Sequence, residues 1–184
     1  MKNKKLLMLM EIAIFAAIGL VLDQLSFKLW PQGGSISLVM VPIACMALRW
    51  GLQAGLTTGL IVGVLQMASG AYILHWLQAA IDYGIAFTVV GFIALVRKPV
   101  LAAIEARQMK KLAGYIVLGT IIGGMLRYVA HSVAGAVFFA EYAGDQNVWL
   151  YTIVYNGTYM IPAIIFTAIV AVLLFTSAPR LIQR

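Results

Sequence analysis

Charge is scarce in this chain of 184 residues: Asp, Glu, Lys and Arg together make up only 10% of it. Soluble domains carry about 25%, so a fully hydrated surface cannot be assembled from this sequence. Cysteine is reduced to one, Cys45, within an apolar run. That excludes a disulfide framework inside the chain and any Cys/His zinc spacing. No Gly-x-x-x-x-Gly-Lys-Ser/Thr run is present, so an ATPase of the P-loop type is not expected here. The two histidines lie far apart, with no Glu-Glu or His-Glu metal pair beside them. An intramembrane enzyme is therefore disfavoured, and neither a metal nor a cofactor is expected.

Apolar residues fill the space left by charge. They make up 63% of the chain, and the mean hydropathy is +0.98. A single domain of this size has too much surface for its volume to hide that much apolar area from water. The composition therefore predicts an all-α, polytopic integral membrane protein. The formal net charge of +7 does not call for nucleic acid, because the basic residues sit between apolar runs, as cytoplasmic loops require.

Spanning helices need roughly 20 mostly apolar residues. Six segments answer that description: 6–26, 37–48, 51–69, 72–96, 112–139 and 150–177. The second has only about a dozen apolar residues, which suits a tilted or partly re-entrant helix. Lys2, Lys4 and Lys5 mimic the start of a signal peptide, but Glu11 interrupts the stretch and no Ala-x-Ala pattern follows; a retained first helix is expected. Eleven of the thirteen lysines and arginines fall in the N-terminus, the 49–50 turn, the 97–111 loop and the C-terminus, whereas the other side holds only Lys28. The rule that cytoplasmic loops are basic then places both termini in the cytoplasm. Residues 97–111 read as a solvated loop with room for a short amphipathic helix. The whole of 1–184 reads as one compact bundle of six transmembrane helices. Gly51, Gly55, Gly59 and Gly63 form a stripe at helical spacing, suited to close helix contact; Gly119/Gly123 and Ala130/Ala134 repeat the device in segment five.

Charges at bilayer depth are costly and face a cavity or a partner. Asp82 and Arg127 are two such residues. By the expected orientation Asp82 falls about ten residues into segment four, roughly 15 Å deep at 1.5 Å per residue. Arg127 and His131 share a helix face that Gly135 and Phe139 extend. Tyr72, Asp82 and Tyr83 recur on segment four, and Tyr151, Tyr155, Asn156 and Tyr159 open segment six. Carboxylate, guanidinium, imidazole, phenols and an amide thus gather in the outer half. Aromatic faces hold flat rings and cations, which suits a small, nitrogen-rich, cationic aromatic solute. The plainer readings stand beside this one. Asp82 and Arg127 suit a purely structural ion pair, and His131 a packing residue. Tyr72, Trp76, Trp149 and Tyr151 suit an interfacial aromatic belt, as do Trp30 and Trp50. His75 suits an outer surface, and Glu11 either snorkels or meets a partner protein. Gly33 and Gly34 read as a turn, or as a hinge letting the loop close over a pocket.

Several stretches in order carry a resemblance. They are Glu11-Ile-Ala-Ile-Phe-Ala-Ala17, Pro31-Gln-Gly-Gly-Ser-Ile-Ser37 with Val41-Pro-Ile43, Leu48-Arg-Trp-Gly51, Ala71-Tyr-Ile-Leu74 and Gln78-Ala-Ala-Ile-Asp-Tyr83. Leu126-Arg-Tyr-Val-Ala-His131 with Ala134-Gly135, and Leu150-Tyr-Thr-Ile-Val-Tyr-Asn-Gly157, complete the set. Together they span nearly the whole chain, which resembles the thiamine-specific S component of energy-coupling factor transporters, the ThiT/YuaJ family. The resemblance implies a multi-pass protein of the bacterial plasma membrane, surrounded by lipid, that captures thiamine from outside. It implies a transmembrane coupling protein and two cytoplasmic ABC ATPases as partners, no hydrolytic activity of its own, and toppling in the membrane to carry the vitamin inward. By position it implies that Asp82, with Tyr83, meets the aminopyrimidine, that His131 stacks on the thiazolium, and that Gly135 gives room beside it. Arg127, Tyr151, Asn156 and Tyr72 match further pocket residues. Phe139 stands where some members carry a Trp, and Asp82 where some carry Glu. Ala13-x-x-x-Ala17 matches the contact with the coupling protein. The alternatives are an S component for another vitamin or a thiamine precursor, a proton-coupled secondary transporter using Asp82, Arg127 and His131, and a scaffold subunit without ligand.

Overall fold

A computed structural model describes residues 2–29 and 34–183; Trp30 and Gly33 lie outside that range. The described residues form six helices: α1 (Lys2–Gln24), α2 (Met40–Trp50), α3 (Leu52–Ala68), α4 (Trp76–Glu105), α5 (Met109–Phe138) and α6 (Val148–Ser177). Four of these, α1, α4, α5 and α6, are long and apolar enough to cross a membrane. Between α1 and α2 the chain makes a small antiparallel ribbon, β1 (Phe27–Lys28) with β2 (Ser35–Ile36), pairing Phe27 with Ile36 and Lys28 with Ser35. The alternation of side chains gave no sign of this ribbon, because two residues a strand are too few to show a period.

The short α2 is the centre of the bundle. Every residue from Met40 to Leu48 is buried, so its length is set by the core it fills rather than by the bilayer. Lipid-facing surface is supplied by the other helices, whose outer faces expose Leu60, Val64, Leu95, Leu118, Ile161, Ile165 and Leu173. A helix that meets no lipid escapes the 20-residue requirement.

The glycine stripe of α3 does the work expected of it at three of its four positions. A Cβ on Gly55 would stand 2.7 Å from the Ala47 Cβ and 3.0 Å from the Gly91 Cα; on Gly59 or Gly63 it would enter the backbone carbonyls of Phe87 or Tyr83. Helices α3 and α4 therefore touch backbone to backbone, a contact that only missing side chains permit. Gly51 has a different task. It sits at φ +97° between α2 and α3, where it makes the turn that an L side chain would strain. Gly119 and Gly123 admit Val96 and Ile93 of α4 in the same manner.

Helix α4 departs from its expected limits at both ends. It starts at Trp76 rather than Tyr72, since residues 71–75 run without helix, and it continues past Val96 to Glu105. The expected loop at 97–111 is thus mostly helix, with Val100, Ala103 and Ile104 buried. Within α4, Ala80–Ile85 is a widened π-helical turn and Val89–Val96 a tightened 3-10 stretch. π turns occur mostly at functional sites, and this one holds Asp82 and Tyr83.

At the end that carries both termini, Arg49 acts as a clamp. It donates through Nε and Nη2 to the two Glu11 oxygens at 2.7 and 3.0 Å, and through Nη1 to the carbonyls of Arg180, Leu181 and Gln183. Trp50 donates to the same carboxylate at 2.6 Å. Glu11 thus has its partners within the chain, which corrects the expectation of snorkelling or of a partner protein. Gly63→Ala is expected to part α3 from the π turn of α4. The cost of overpacking such a contact is about 1–3 kcal/mol, readable as a lowered melting temperature of the detergent-solubilised protein, with a much smaller effect for Ala at Gly84, which has nothing within 4 Å.

Candidate functional site

At the end opposite the termini the helices part around a cavity of about 330 Å³. Its floor is built on α4 and α5. Gln78 Nε2 donates to Asp82 Oδ2 at 2.7 Å, and His131 Nδ1 lies 2.8 Å from Asp82 Oδ1. Arg127 Nε donates to His131 Nε2 at 3.2 Å, while its guanidinium carbon lies 4.0 Å from the centroid of the Phe87 ring. Because Nε2 accepts, the proton of a neutral imidazole belongs on Nδ1, which donates to Asp82. Asp82 and Arg127 are therefore not a direct ion pair. His131 stands between them, and Arg127, only 6% exposed, spreads its charge over an aromatic face.

Helix α6 supplies the amide wall. Asn156 Nδ2 donates to the Thr152 carbonyl at 2.8 Å and to Thr152 Oγ1 at 3.0 Å, and its Oδ1 accepts from the Tyr159 hydroxyl. Thr152 Oγ1 in turn donates to the Ser132 carbonyl at 3.2 Å. This network needs Gly135, where any Cβ would overlap Thr152 Oγ1. The space that Gly135 leaves is thus filled first by α6, although the residue also borders the cavity. Tyr151, Tyr155 and Tyr159 follow in a ladder with ring centroids 5.9 and 6.2 Å apart. Gly34, at φ +86°, lies flat on the Tyr159 ring, where a Cβ would stand 2.6 Å from Cδ1. The ribbon is thereby seated against the cavity.

Aromatic groups rim the mouth. Phe139 packs against Tyr72 and Tyr142, with centroids 6.4 and 6.1 Å apart. The hydrogen bond between Tyr142 and Tyr72 raises the Tyr142 phenol above its ordinary pKa. His75 stays outside: it caps α4 by accepting from Leu77 N at 3.1 Å and stacks on Phe138. Trp76 and Trp149 are exposed.

All nine residues singled out by the sequence border this one cavity: Tyr72, Asp82, Tyr83, Arg127, His131, Gly135, Phe139, Tyr151 and Asn156. Tyr155 and Tyr159, which the sequence placed in the same outer-half cluster, line it too; sequence reasoning gave no role to Gln78, Phe87 and Thr152 or, on the α1 and α3 side, to Asp23 and Gln66. For Gln78 the signal was available, four residues before Asp82 on the same face. Asp23 was passed over because it closes α1, where a charged residue reads as a helix end meeting water.

Comparison with known proteins follows the same outline. Residues 9–183 match the model of the family described as thiamine transporter protein (Thia_YuaJ). The chain belongs to this family of thiamine transporters. It is 43% identical over 186 residues to the thiamine transporter ThiT of Bacillus subtilis (strain 168), covering 99% of this chain and 97% of that protein. It is 32% identical over 185 residues to the thiamine transporter ThiT of Lacticaseibacillus paracasei, covering 98% and 92%. A solved structure of ThiT from Listeria monocytogenes superposes with a TM-score of 0.93 at 36% identity, over 99% of this chain and 100% of that one. The all-α, multi-pass architecture of this bacterial membrane family member is thus established, in a family of transporters rather than enzymes.

Proposed function

We propose that this chain binds thiamine in the cavity described above and serves as the substrate-capturing subunit of an energy-coupled uptake system. The observation that carries the reading is the meeting of Asp82, His131, Asn156 and the tyrosine ladder on one wall set of about 330 Å³. That volume lies in the range of small-molecule sites, which start near 300 Å³. Asp82 has lone pairs beyond those used by Gln78 and His131, so it can accept from an aminopyrimidine. The His131 ring and the aromatic rim offer faces to a flat cationic ring. The relatives named thiamine transporters support the same ligand.

Energy comes from elsewhere in this reading. The residues below the cavity are apolar core, among them Ile43, Val90, Ile93 and Met160, which favours capture over a continuous proton path and disfavours the secondary-transporter alternative. Both termini lie on the clamped face, which we take as cytoplasmic from its basic residues. Ala13 and Ala17 are exposed along α1 in a row of small side chains that lets another helix approach closely. A transmembrane coupling protein with two cytoplasmic ATPases is the partner class that fits.

Thiamine at 100-fold excess over Kd should stabilise the purified protein by about 2.7 kcal/mol. For a chain of this size that is a rise of roughly 5–10 °C in melting temperature, with quenching of tryptophan fluorescence. Riboflavin, biotin and the isolated pyrimidine and thiazole halves, titrated in parallel, should shift it far less; an equal or larger shift with another vitamin would overturn the assignment. Asp82→Asn should weaken thiamine binding at least tenfold while the ligand-free melting temperature stays near that of wild type. If the variant unfolds and the remaining native protein binds normally, Asp82 is structural instead. Ala13→Trp with Ala17→Trp should leave thiamine binding intact and abolish uptake in cells; undiminished uptake would remove α1 from the coupling surface.

A further inference from the structure

Gln78 is almost wholly enclosed, 1% exposed, yet it stands beside Asp82 on the cavity wall of α4. Two groups claim its amide. Leu74 N, in the non-helical segment ahead of α4, donates to Oε1 at 3.1 Å, and Nε2 donates to Asp82 Oδ2 at 2.7 Å. These contacts fix which way the amide points. Turned over, it would set an N–H against the N–H of Leu74 and its carbonyl against a carboxylate, leaving both unpaired. The backbone of the rim segment thus keeps the donor end of Gln78 on the acid. That segment also carries Tyr72, whose ring centroid lies 6.4 Å from that of Phe139 at the mouth.

Asp82 is held from two helices. His131 on α5 meets Oδ1, and Gln78 on α4 meets Oδ2. The last torsion of an aspartate side chain is broad, so a single donor would leave the carboxylate free to swing about that contact. A second donor, on the other oxygen, sets its plane. Enclosed as it is, Gln78 offers a ligand almost no surface of its own. We infer that Gln78 is a positioning residue of this site: it acts on the ligand through Asp82, by fixing the carboxylate so that its remaining lone pairs face the cavity. A plain structural role, satisfying Leu74 N at the start of the helix, accounts for the bond to Oε1 but not for the short, charge-assisted bond to Asp82. The inference rests on the thiamine reading and adds to it the group that orients its acid before the ligand arrives. Preorganisation of this kind lowers the cost of binding.

The test is a double-mutant cycle on the full-length protein in detergent. Kd for thiamine is read by fluorescence titration carried to millimolar ligand, so that weak variants stay measurable. Gln78→Met keeps the length of the side chain and removes both polar ends. It should weaken thiamine about tenfold, the scale of one hydrogen bond to a charged group. Asp82→Ala should weaken it at least as much. In the Asp82→Ala protein Gln78 has no carboxylate to hold, so adding Gln78→Met should cost less than threefold more, whereas residues acting independently lose additively. Gln78→Asn keeps an amide that is one methylene too short to span Leu74 N and Asp82, and it enters the same cycle if Gln78→Met melts too low to be measured. A loss under threefold in the single variant would overturn the inference, as would a loss of threefold or more on the Asp82→Ala background. Each of those outcomes leaves the binding of thiamine by wild type standing, whereas wild type failing to bind thiamine would overturn the parent reading and this inference with it.

Discussion

A carboxylate and a guanidinium held at membrane depth must be satisfied by side chains, because lipid offers them nothing. Here the imidazole of His131 does this for both. It donates to Asp82 and accepts from Arg127, and that double duty fixes its tautomer and the plane of its ring. A direct pair of opposite charges between Asp82 and Arg127 would close on itself. With His131 inserted, the carboxylate keeps free lone pairs on the cavity side. The polar groups that make the cavity useful therefore also hold α4 to α5 at this depth.

Everything around that chain serves to bring three helices near enough. The π turn at Ala80–Ile85 puts Asp82 and the next residue, Tyr83, on the cavity wall together. Gly59 and Gly63 on α3 accept the carbonyls of Phe87 and Tyr83, so the backbone of α4 can be widened locally and still pack. Gly135 does the corresponding work between α5 and α6 by admitting the Thr152 hydroxyl. Packing in membranes gains little from hydrophobicity and much from contact area. Glycine placement is thus as much a part of the site as the residues that line it.

Much of this was legible in the sequence. The six apolar segments matched six helices, and the nine positions drawn from spacing, depth and the family resemblance together border one cavity. The misses share a cause. Helix α4 begins at Trp76 and runs through Arg97 and Lys98 because α5 packs along it, and periodicity carries no information on such tertiary support. The ribbon at Phe27–Lys28 and Ser35–Ile36 was too short to show alternation. Glu11 looked like a charge in search of a partner because Arg49, its partner, is 38 residues away. Asp23 was overlooked since nothing local distinguishes a carboxylate at a helix end from one turned into a pocket. Contacts between distant segments were readable only where chemistry demanded them, as for Asp82 and His131.

The two ends of the bundle are built on opposite principles. At the terminal face, one guanidinium gathers α1, α2 and the last residues of the chain through charge-assisted bonds to Glu11 and to three carbonyls, and such bonds are about twice as strong as neutral ones. At the cavity face, the described part of the connection from α1 to α2 is a short ribbon resting on Tyr159 through Gly34. Local stability follows the density of such contacts. Opening is therefore costly at the clamp. A ligand can enter and leave from the cavity end without loosening the other, and any path onward through Ile43, Val90 and Met160 would require the core itself to part. On the uptake reading proposed above, release on the clamped side would therefore ask the bundle to move as a body, or with a partner, rather than to open a channel through its core.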